Sequence, residues 1–256
     1  MKKISKKVHH KDGSVSRCPE DIYRLLNLSV LHYTNMTHSA EGTDMPVVPC
    51  DTHFIPDFLA LYSEPGLYHK TPLTAVCFYE YDYLFDDIDG IYNAIYYNKK
   101  DLLDRYRERF KDVRIFISPD YSEFGDLHKP ENEYRLWKAR IVSLWIINDL
   151  KAILIPSITY VSRETFPFYF SGLEDCSVVA FSTKGHIRNK EDRALLVAAV
   201  KYAVDHLPLS TIVVYSVCGH DETSLELFRY AKEKGVDVII PNNSLRERNM
   251  GRCSHE

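Results

Sequence analysis

The segment RIFISPDYSEF, residues 114–124, places a carboxylate and a hydroxyl directly after a short apolar run. Pro119 cannot donate a hydrogen bond to a neighbouring strand, so it ends the run and fixes the direction of the exit. Asp120 and Ser122 therefore follow a predicted strand at its carboxyl end. A carboxylate in such a place can transfer protons or bind a cation, and a hydroxyl can bind a polar ligand.

Polar side chains also follow other apolar runs of the sequence. The runs AILIPSITY (152–160), SVVAFST (177–183) and STIVVYSV (210–217) lead into hydroxyls, one lysine and two histidines. These residues are Thr159, Tyr160, Ser182, Thr183, Lys184, His186 and His220. We assign Asp120, His186 and His220 to proton transfer, and Ser122, the other hydroxyls and Lys184 to ligand binding. The segment FSTKG can hold an anion or can be an ordinary turn.

The apolar runs alternate with amphipathic segments from residue 73 onward. Strands are predicted at 73–81, 113–118, 152–160, 177–183, 210–217 and 236–241, and helices at 99–110, 132–149, 190–207 and 223–234. This alternation is typical of an α/β fold with (β/α) repeats and a mainly parallel sheet, whose strand ends meet at one edge. Three of the predicted strands, in FISPD, LIPSI and IIPNN, are followed by a proline at the point where the chain leaves the sheet. This repeated feature favours a TIM-barrel-like or partial barrel over an open doubly wound sheet.

The chain divides by composition into four parts. Residues 1–17 carry six basic residues and one acidic residue, a net of +5 within a total of −4, and are predicted to be a disordered basic tail. Residues 18–72 are irregular and partly helical, 73–244 form the (β/α) core and 245–256 a second tail. The basic tail can bind nucleic-acid phosphates, or it can be a solubilising end without a partner.

Several functional classes are disfavoured by composition. No stretch approaches the about 18 apolar residues of a membrane span, and no apolar run follows the first lysines as in a secretory signal. We therefore expect a cytoplasmic protein with no membrane partner, and reduced thiols at all six cysteines. The stretch 79–97 could hold Mg²⁺ through Asp86, Asp87 and Asp89, or it could be a solvated loop over packed aromatics. We assign no metal ligands.

Four motifs together resemble those of an uncharacterised family of domains encoded by bacteria, phages and plasmids. They are FISPDYS, LIPSITY, TFPFYFSGL and VVAFSTKG, within residues 75–217. The resemblance implies that Asp120, Ser122, Ser182, Thr183 and Gly185 belong to a shared pattern. It also implies a basic helix after the S-P-D loop, which here would carry Arg135, Lys138 and Arg140. The chain departs from the pattern at Tyr160, where tryptophan is expected, in the longer DLHKP turn and in YFSG, which lacks an acid.

These observations lead to three functional hypotheses. The first is an accessory protein of mobile-element type that either binds or binds and hydrolyses a polar phosphate-bearing ligand such as a nucleotide at the carboxyl ends of the strands, with Arg135 and Arg140 neutralising its charge. The second is a nucleic-acid-associated replication or accessory protein without catalysis, which binds through residues 1–17. The third is an interaction protein that uses the aromatic stretch 79–97 as its contact surface.

Overall fold

The computed structural model describes residues 7–9, 11–17, 25–50, 52 and 54–253. The strands are β1 (Lys7–His9), β2 (Val15–Arg17), β3 (Phe58–Leu61), β4 (Thr74–Cys77), β5 (Ile115–Ile117), β6 (Ile153–Ile155), β7 (Val178–Ser182), β8 (Thr211–Tyr215), β9 (Asp237–Ile239) and β10 (Asn242–Asn243). The helices are α1 (Leu31–Thr34), α2 (Ile91–Tyr96), α3 (Lys100–Arg109), α4 (Lys129–Asp149), α5 (Phe166–Tyr169), α6 (Lys190–His206), α7 (Asp221–Leu227), α8 (Arg229–Glu233) and α9 (Ser244–Cys253). Short 3₁₀ turns lie at Pro65–Leu67, Asp82–Leu84 and Arg163–Thr165.

The strands from β3 to β10 form two parallel sheets. The larger has the order β10-β3-β4-β5-β6 and the smaller the order β7-β8-β9. Every strand pair in them is parallel, and a single parallel bridge between Ser157 and Ala180 joins the two sheets. The predicted α/β fold with a parallel sheet is therefore confirmed.

The predicted TIM-barrel-like closure is wrong, because regular strand pairing is interrupted at two places. Between β6 and β7 the pairing is reduced to the Ser157–Ala180 bridge beside Pro156, and β9 and β10, on either side of Pro241, pair with different strands. Proline has no backbone N–H, so it cannot continue a ladder. Two of the three prolines that favoured a barrel, Pro156 and Pro241, thus lie where regular pairing is interrupted, as in the open-sheet alternative, whereas Pro119 follows β5 inside the larger sheet.

Each sheet has one face covered by helices and one face without them. Alternate strand residues such as Phe116 and Phe181 pack with Trp145 of α4 in a large helix-covered core. The intervening residues, among them Ile117 and Tyr215, form a second core that includes residues of both sheets and no helical residue. The helix-free faces of the two sheets therefore pack against each other, which brings the carboxyl ends of their strands around one opening.

The predicted helices are present, with ends set by local signals. The side chain of Asn189 accepts a hydrogen bond from the Asp192 N–H at 2.7 Å and caps α6. Helix α4 ends just before Lys151, which has a left-handed φ of 55°. The segment predicted as one helix at 223–234 is divided into α7 and α8, and Gly235 follows with a φ of 81°.

Several elements were not expected from the sequence, among them α9 in the predicted second tail and the strands β1, β2 and β3. Strand β3 lies in the segment predicted to be irregular, and it pairs with β4 and β10 inside the larger sheet. Strands β1 and β2 pair antiparallel within the predicted disordered tail, where Asp12 accepts hydrogen bonds from the N–H and hydroxyl of Ser14 in the connecting turn. The rest of that tail, residues 1–6 and 10, lies outside the described residues.

Cys50 and Cys176 form a disulfide with a Cα–Cα distance of 5.4 Å. The prediction of reduced thiols is therefore wrong for this pair. The two cysteines are 126 residues apart, so their positions in the sequence do not indicate that they are in contact. Cys77 and Cys218 are free and buried.

The part of the chain that the structure describes contains no helix with both the length and the apolarity needed to cross a bilayer.

Candidate functional site

A cavity of about 450 Å³ lies at the carboxyl ends of β4, β5, β6 and β7. The parallel strands bring together most of the side chains that the sequence predicts at this edge. The predicted residues that line the cavity are Asp120, Ser122, Thr159, Tyr160, Ser182, Lys184 and His186. The structure therefore places these residues in one cavity, although their chemical roles remain predictions.

Asp120 is the carboxylate that β5 delivers to the cavity. The residue is half-buried, and its carboxyl group makes no hydrogen bond or ion pair with any residue that the structure describes. Burial and, to a smaller extent, the nearby Asp82 carboxylate raise the pKa of Asp120 from 3.8 to about 7, against an opposing effect of Lys184. A carboxyl group with a pKa of about 7 is ready both to donate and to accept a proton near neutral pH.

Lys184 enters the cavity from the turn after β7. The Ser182 hydroxyl accepts a hydrogen bond from the Lys184 N–H at 3.0 Å, and Gly185 follows with a φ of 87°, a conformation that favours glycine. The Lys184 Nζ donates to the carbonyl of Tyr79 at 2.7 Å and lies 5.8 Å from the centre of the Tyr81 ring. The turn therefore presents the ammonium group to the cavity from a fixed position.

His186 lies at the same edge, 3.4 Å from the Tyr160 hydroxyl through its Nδ1. Burial lowers the pKa of His186, and Asp192 partly opposes that shift. The imidazole is therefore favoured in its neutral form at pH 7, in which one nitrogen accepts and the other donates.

Arg135 contacts the loop that carries Ser122 indirectly, through the Asp82 carboxylate. The Asp82 carboxylate accepts hydrogen bonds from the N–H and the hydroxyl of Ser122, at 3.0 and 2.9 Å. The same carboxylate accepts from Arg135 Nη1 at 2.8 Å. Arg135 is not among the residues that line the cavity, and its contact with Asp82 positions Ser122 and the loop after Asp120, whereas a contact of Arg135 with a ligand stays a prediction.

Three other predicted residues lie outside the lining of this cavity. Thr183 is buried, and its hydroxyl accepts a hydrogen bond from the Val217 N–H, which ties β7 to the end of β8. Arg140 is buried and donates to the carbonyls of Tyr169 and Ser171, and burial lowers its pKa to about 10. His220 is exposed immediately before α7.

Two of the three carboxylates proposed for Mg²⁺ pair with lysines, and one of them, Asp89, lies 3.5 Å from Lys99. Asp86 forms an ion pair with Lys138 at 2.5 Å, and both side chains are largely buried. Asp87 accepts a hydrogen bond from the Asp89 N–H within the loop. No group of three or more His, Cys, Asp or Glu side chains that could hold a metal ion exists among the described residues. The basic helix implied by the family resemblance thus anchors this stretch beside the cavity.

Sequence reasoning missed several residues that line the cavity, among them Glu123, Arg188 and Asp192. Glu123 is the most unusual of them, because burial and the Asp120 carboxylate raise its pKa well above the ordinary value. Its position only three residues after Asp120 was a signal that the sequence offered. Arg188 and Asp192 lie beyond the turn that holds Lys184, and only the fold of that segment brings them to the cavity.

Comparison with known proteins identifies relatives encoded by phages. Residues 44–231 match the family model described as "Domain of unknown function (DUF4417)". The Gene 1 protein of Mycobacterium phage L5 is 24% identical over 172 residues, which cover 66% of this chain and 69% of the relative. The Gene 1 protein of Mycobacterium phage D29 is 23% identical over 113 residues, 44% of this chain and 41% of the relative. The resemblance stated from the motifs is confirmed: the chain belongs to the DUF4417 family.

Proposed function

We propose that the cavity binds a small phosphate-bearing ligand such as a nucleotide, and that Asp120 acts on it as a general acid–base group. The observation that carries this proposal is the state of Asp120. Its carboxyl group faces a cavity of about 450 Å³, has no hydrogen-bond partner among the described residues and has a pKa of about 7. Perturbed carboxyl groups without a structural partner are typical of functional sites.

The charges around the cavity favour an anionic ligand on one side. Lys184 and Arg188 both line it, and neither forms an ion pair with a carboxylate of the described residues. The neighbouring Glu80 is instead occupied by the N–H and hydroxyl of Ser63, at 2.8 and 2.6 Å. Two cations without a carboxylate partner, on the same turn as an exposed Gly185, can bind a phosphate group.

The hydrolytic step, where it occurs, needs an acid–base group close to the bound phosphate. Asp120 lies near enough to Lys184 for the ammonium group to lower its pKa. In its ionised form, Asp120 would remove a proton from the attacking water, and in its protonated form it would donate a proton to the leaving group. His186 is favoured as a neutral imidazole and would serve as a second proton carrier. Ligand sequestration without turnover uses the same residues.

The experiment that tests the proposal combines two substitutions with ligand identification. The full chain and its Asp120→Asn and Lys184→Met variants are purified, and small molecules that co-purify are identified by mass spectrometry. We expect a phosphate-bearing compound with the native chain, the same compound with Asp120→Asn and little of it with Lys184→Met. Turnover of the recovered compound by the native chain and not by Asp120→Asn would establish catalysis. Retention of no phosphate compound, or equal retention by Lys184→Met, would refute the proposal.

A matched control makes the same Asp→Asn substitution at a position that does not line the cavity. Asp126→Asn alters an exposed aspartate in the same loop as Asp120, and it is expected to retain both the ligand and any turnover. Loss of the ligand in this variant would mean that the loop itself, and not the Asp120 carboxyl group, is responsible.

The alternative function, a nucleic-acid-associated protein without catalysis, depends on residues 1–17. Their net charge of +5 supports a salt-dependent contact with phosphates. A nucleotide ligand and a nucleic-acid partner both agree with a cytoplasmic location, which we propose on that ground.

A further inference from the structure

Two tyrosines at the mouth of the cavity expose their rings to solvent. Tyr81 lines the cavity and is 71% exposed, and Tyr83, two residues further along the chain, is 68% exposed. Their rings stack on each other, with centres 6.2 Å apart and planes 17° from parallel. Single exposed apolar residues are ordinary, whereas adjacent exposed rings beside a cavity indicate a surface that another molecule covers.

The backbone that carries the two rings is held in place through Asp82, which lies between the tyrosines in the chain. The Asp82 carboxylate accepts hydrogen bonds from the Ser122 N–H at 3.0 Å and from Arg135 Nη1 at 2.8 Å. These contacts tie the turn that carries the rings to the loop after β5 and to helix α4. The turn is therefore fixed before a ligand binds, which lowers the entropic cost of binding.

Positive charge lies directly beside the exposed rings. The Lys184 Nζ is 5.8 Å from the centre of the Tyr81 ring, and Arg188 lines the same cavity. The ammonium group donates one hydrogen bond to the Tyr79 carbonyl at 2.7 Å, which leaves its remaining N–H donors for a ligand. A single nucleotide can therefore contact Lys184 through its phosphate and Tyr81 through its base.

Ion pairs offset some of the negative charge around the rings. Asp82 pairs with Arg135 at 2.8 Å, and Asp86 pairs with Lys138 at 2.5 Å. Both acids are close in sequence to the two tyrosines, so their pairing removes part of the repulsion that a phosphate backbone would meet at this surface.

The exposure of the rings favours a strand over a free nucleotide. A pocket for a small molecule usually encloses most of the ligand surface, but a base on Tyr81 would lie at the mouth of an open cavity. Proteins that bind single-stranded nucleic acid combine cations that contact the backbone with aromatic rings on which the bases stack. Tyr83, which does not line the cavity, extends the aromatic surface away from it, as a strand that continues past the cavity requires.

We infer that Tyr81 and Tyr83 form a stacking platform for the bases of a single-stranded nucleic acid whose phosphate lies at Lys184 and Arg188. This inference rests on the proposed function and specifies the ligand as a strand. The platform contacts the ring faces that every base has, so it binds without preference for sequence. It also gives the exposed part of the aromatic stretch 79–97 a nucleic-acid partner in place of a protein partner.

Fluorescence anisotropy of short labelled strands with the full chain tests the inference. An oligothymidylate of about eight nucleotides carries bases, whereas an abasic strand of the same length carries the same phosphates without them. We expect the native chain to bind the oligothymidylate about tenfold or more tightly than the abasic strand, the effect of about one stacked base. Tyr81→Leu should bring this ratio close to one without weakening the abasic strand. Tyr81→Phe, which keeps the ring, should retain the ratio.

Three further variants assign the effect to the platform. Tyr83→Leu should lower the ratio, and Lys184→Met should weaken both strands. Tyr97→Leu removes another exposed tyrosine of the same stretch that does not line the cavity, and it should leave the ratio unchanged. Residues 1–17 are present in every variant, so a loss caused by Tyr81→Leu cannot come from the basic tail.

The outcomes separate this inference from the proposed function. Equal binding of both strands by the native chain, as expected if the tyrosines contact another protein, would overturn the platform and leave the phosphate site intact. A ratio that survives Tyr81→Leu would also overturn it. Thymidine 5′-monophosphate that binds as tightly as the oligothymidylate would overturn the strand as ligand. Binding of neither strand would overturn the inference, while the small molecules that co-purify with the chain decide the proposed function independently.

Discussion

Replacement of Asp120 by Asn should change the stability of the protein in a manner that depends on pH. The Asp120 carboxyl group has a pKa of about 7 in the folded chain, against 3.8 when unperturbed. Because the folded state binds this proton more tightly than the unfolded state, the native chain loses stability as pH rises through this window. Asp120→Asn has no titrating carboxyl group at this position, so it does not lose stability in this way as the pH rises.

The size of the effect follows from the pKa difference. About three pKa units at 1.36 kcal/mol each give a loss of about 4 kcal/mol that is complete above pH 7 and absent below pH 4. Between pH 5 and pH 8 the expected change is about 2.6 kcal/mol. The half-buried position of Asp120 makes these figures upper limits, since solvent screens part of the charge.

Urea denaturation at several pH values measures the effect directly. The free energy of unfolding of Asp120→Asn minus that of the native chain should increase from pH 5 to pH 8. The difference cancels the titration of groups that behave alike in both proteins. Asp126→Asn, an exposed substitution of the same type, provides the control. A difference that is constant over this range would show that Asp120 does not hold a proton near neutral pH, and would remove the basis of the proposed acid–base role.

Three further predictions concern stability and partners. Cys50→Ser should lower the free energy of unfolding by about 2–5 kcal/mol, because the disulfide closes a loop of 126 residues. A reducing agent should lower the thermal midpoint of the native chain but leave that of Cys50→Ser unchanged. Lys138→Met should cost about 3 kcal/mol at pH 7 in chemical denaturation, since it leaves the buried Asp86 carboxylate without its partner, and Asp86→Asn in the same chain should restore part of the loss. Deletion of residues 1–17 should abolish salt-dependent retention on a DNA column if the nucleic-acid alternative is correct, and unchanged retention, or none with the full chain, would exclude it.

The sequence by itself determined the parallel α/β fold and most of the cavity that the strand ends surround. Apolar runs of strand length alternate with amphipathic helices, and both patterns are local, so six strands and the main helices could be assigned from neighbouring residues. Asp120, Lys184 and His186 could be placed at one edge because parallel strands necessarily end on the same side of a sheet. The four motifs, read together, were also sufficient to identify the family.

Only the tertiary structure decided which polar residues turn into the cavity. Thr183 is one residue from Ser182 on the same strand exit, yet it faces β8, and Arg140 is buried against backbone carbonyls because α4 packs its face against the core. Glu123 acquires its raised pKa from burial and from a second carboxylate, and neither can be seen in a list of residue types.

Long-range contacts were equally hidden in the sequence. Strand β3 is short and follows Pro56, so its place in the sheet depends on β4 and β10 and not on its own pattern. The Cys50–Cys176 disulfide joins segments far apart in the chain. A local pattern records the preference of a segment for helix or strand, whereas proximity between distant segments is set by how the whole chain packs.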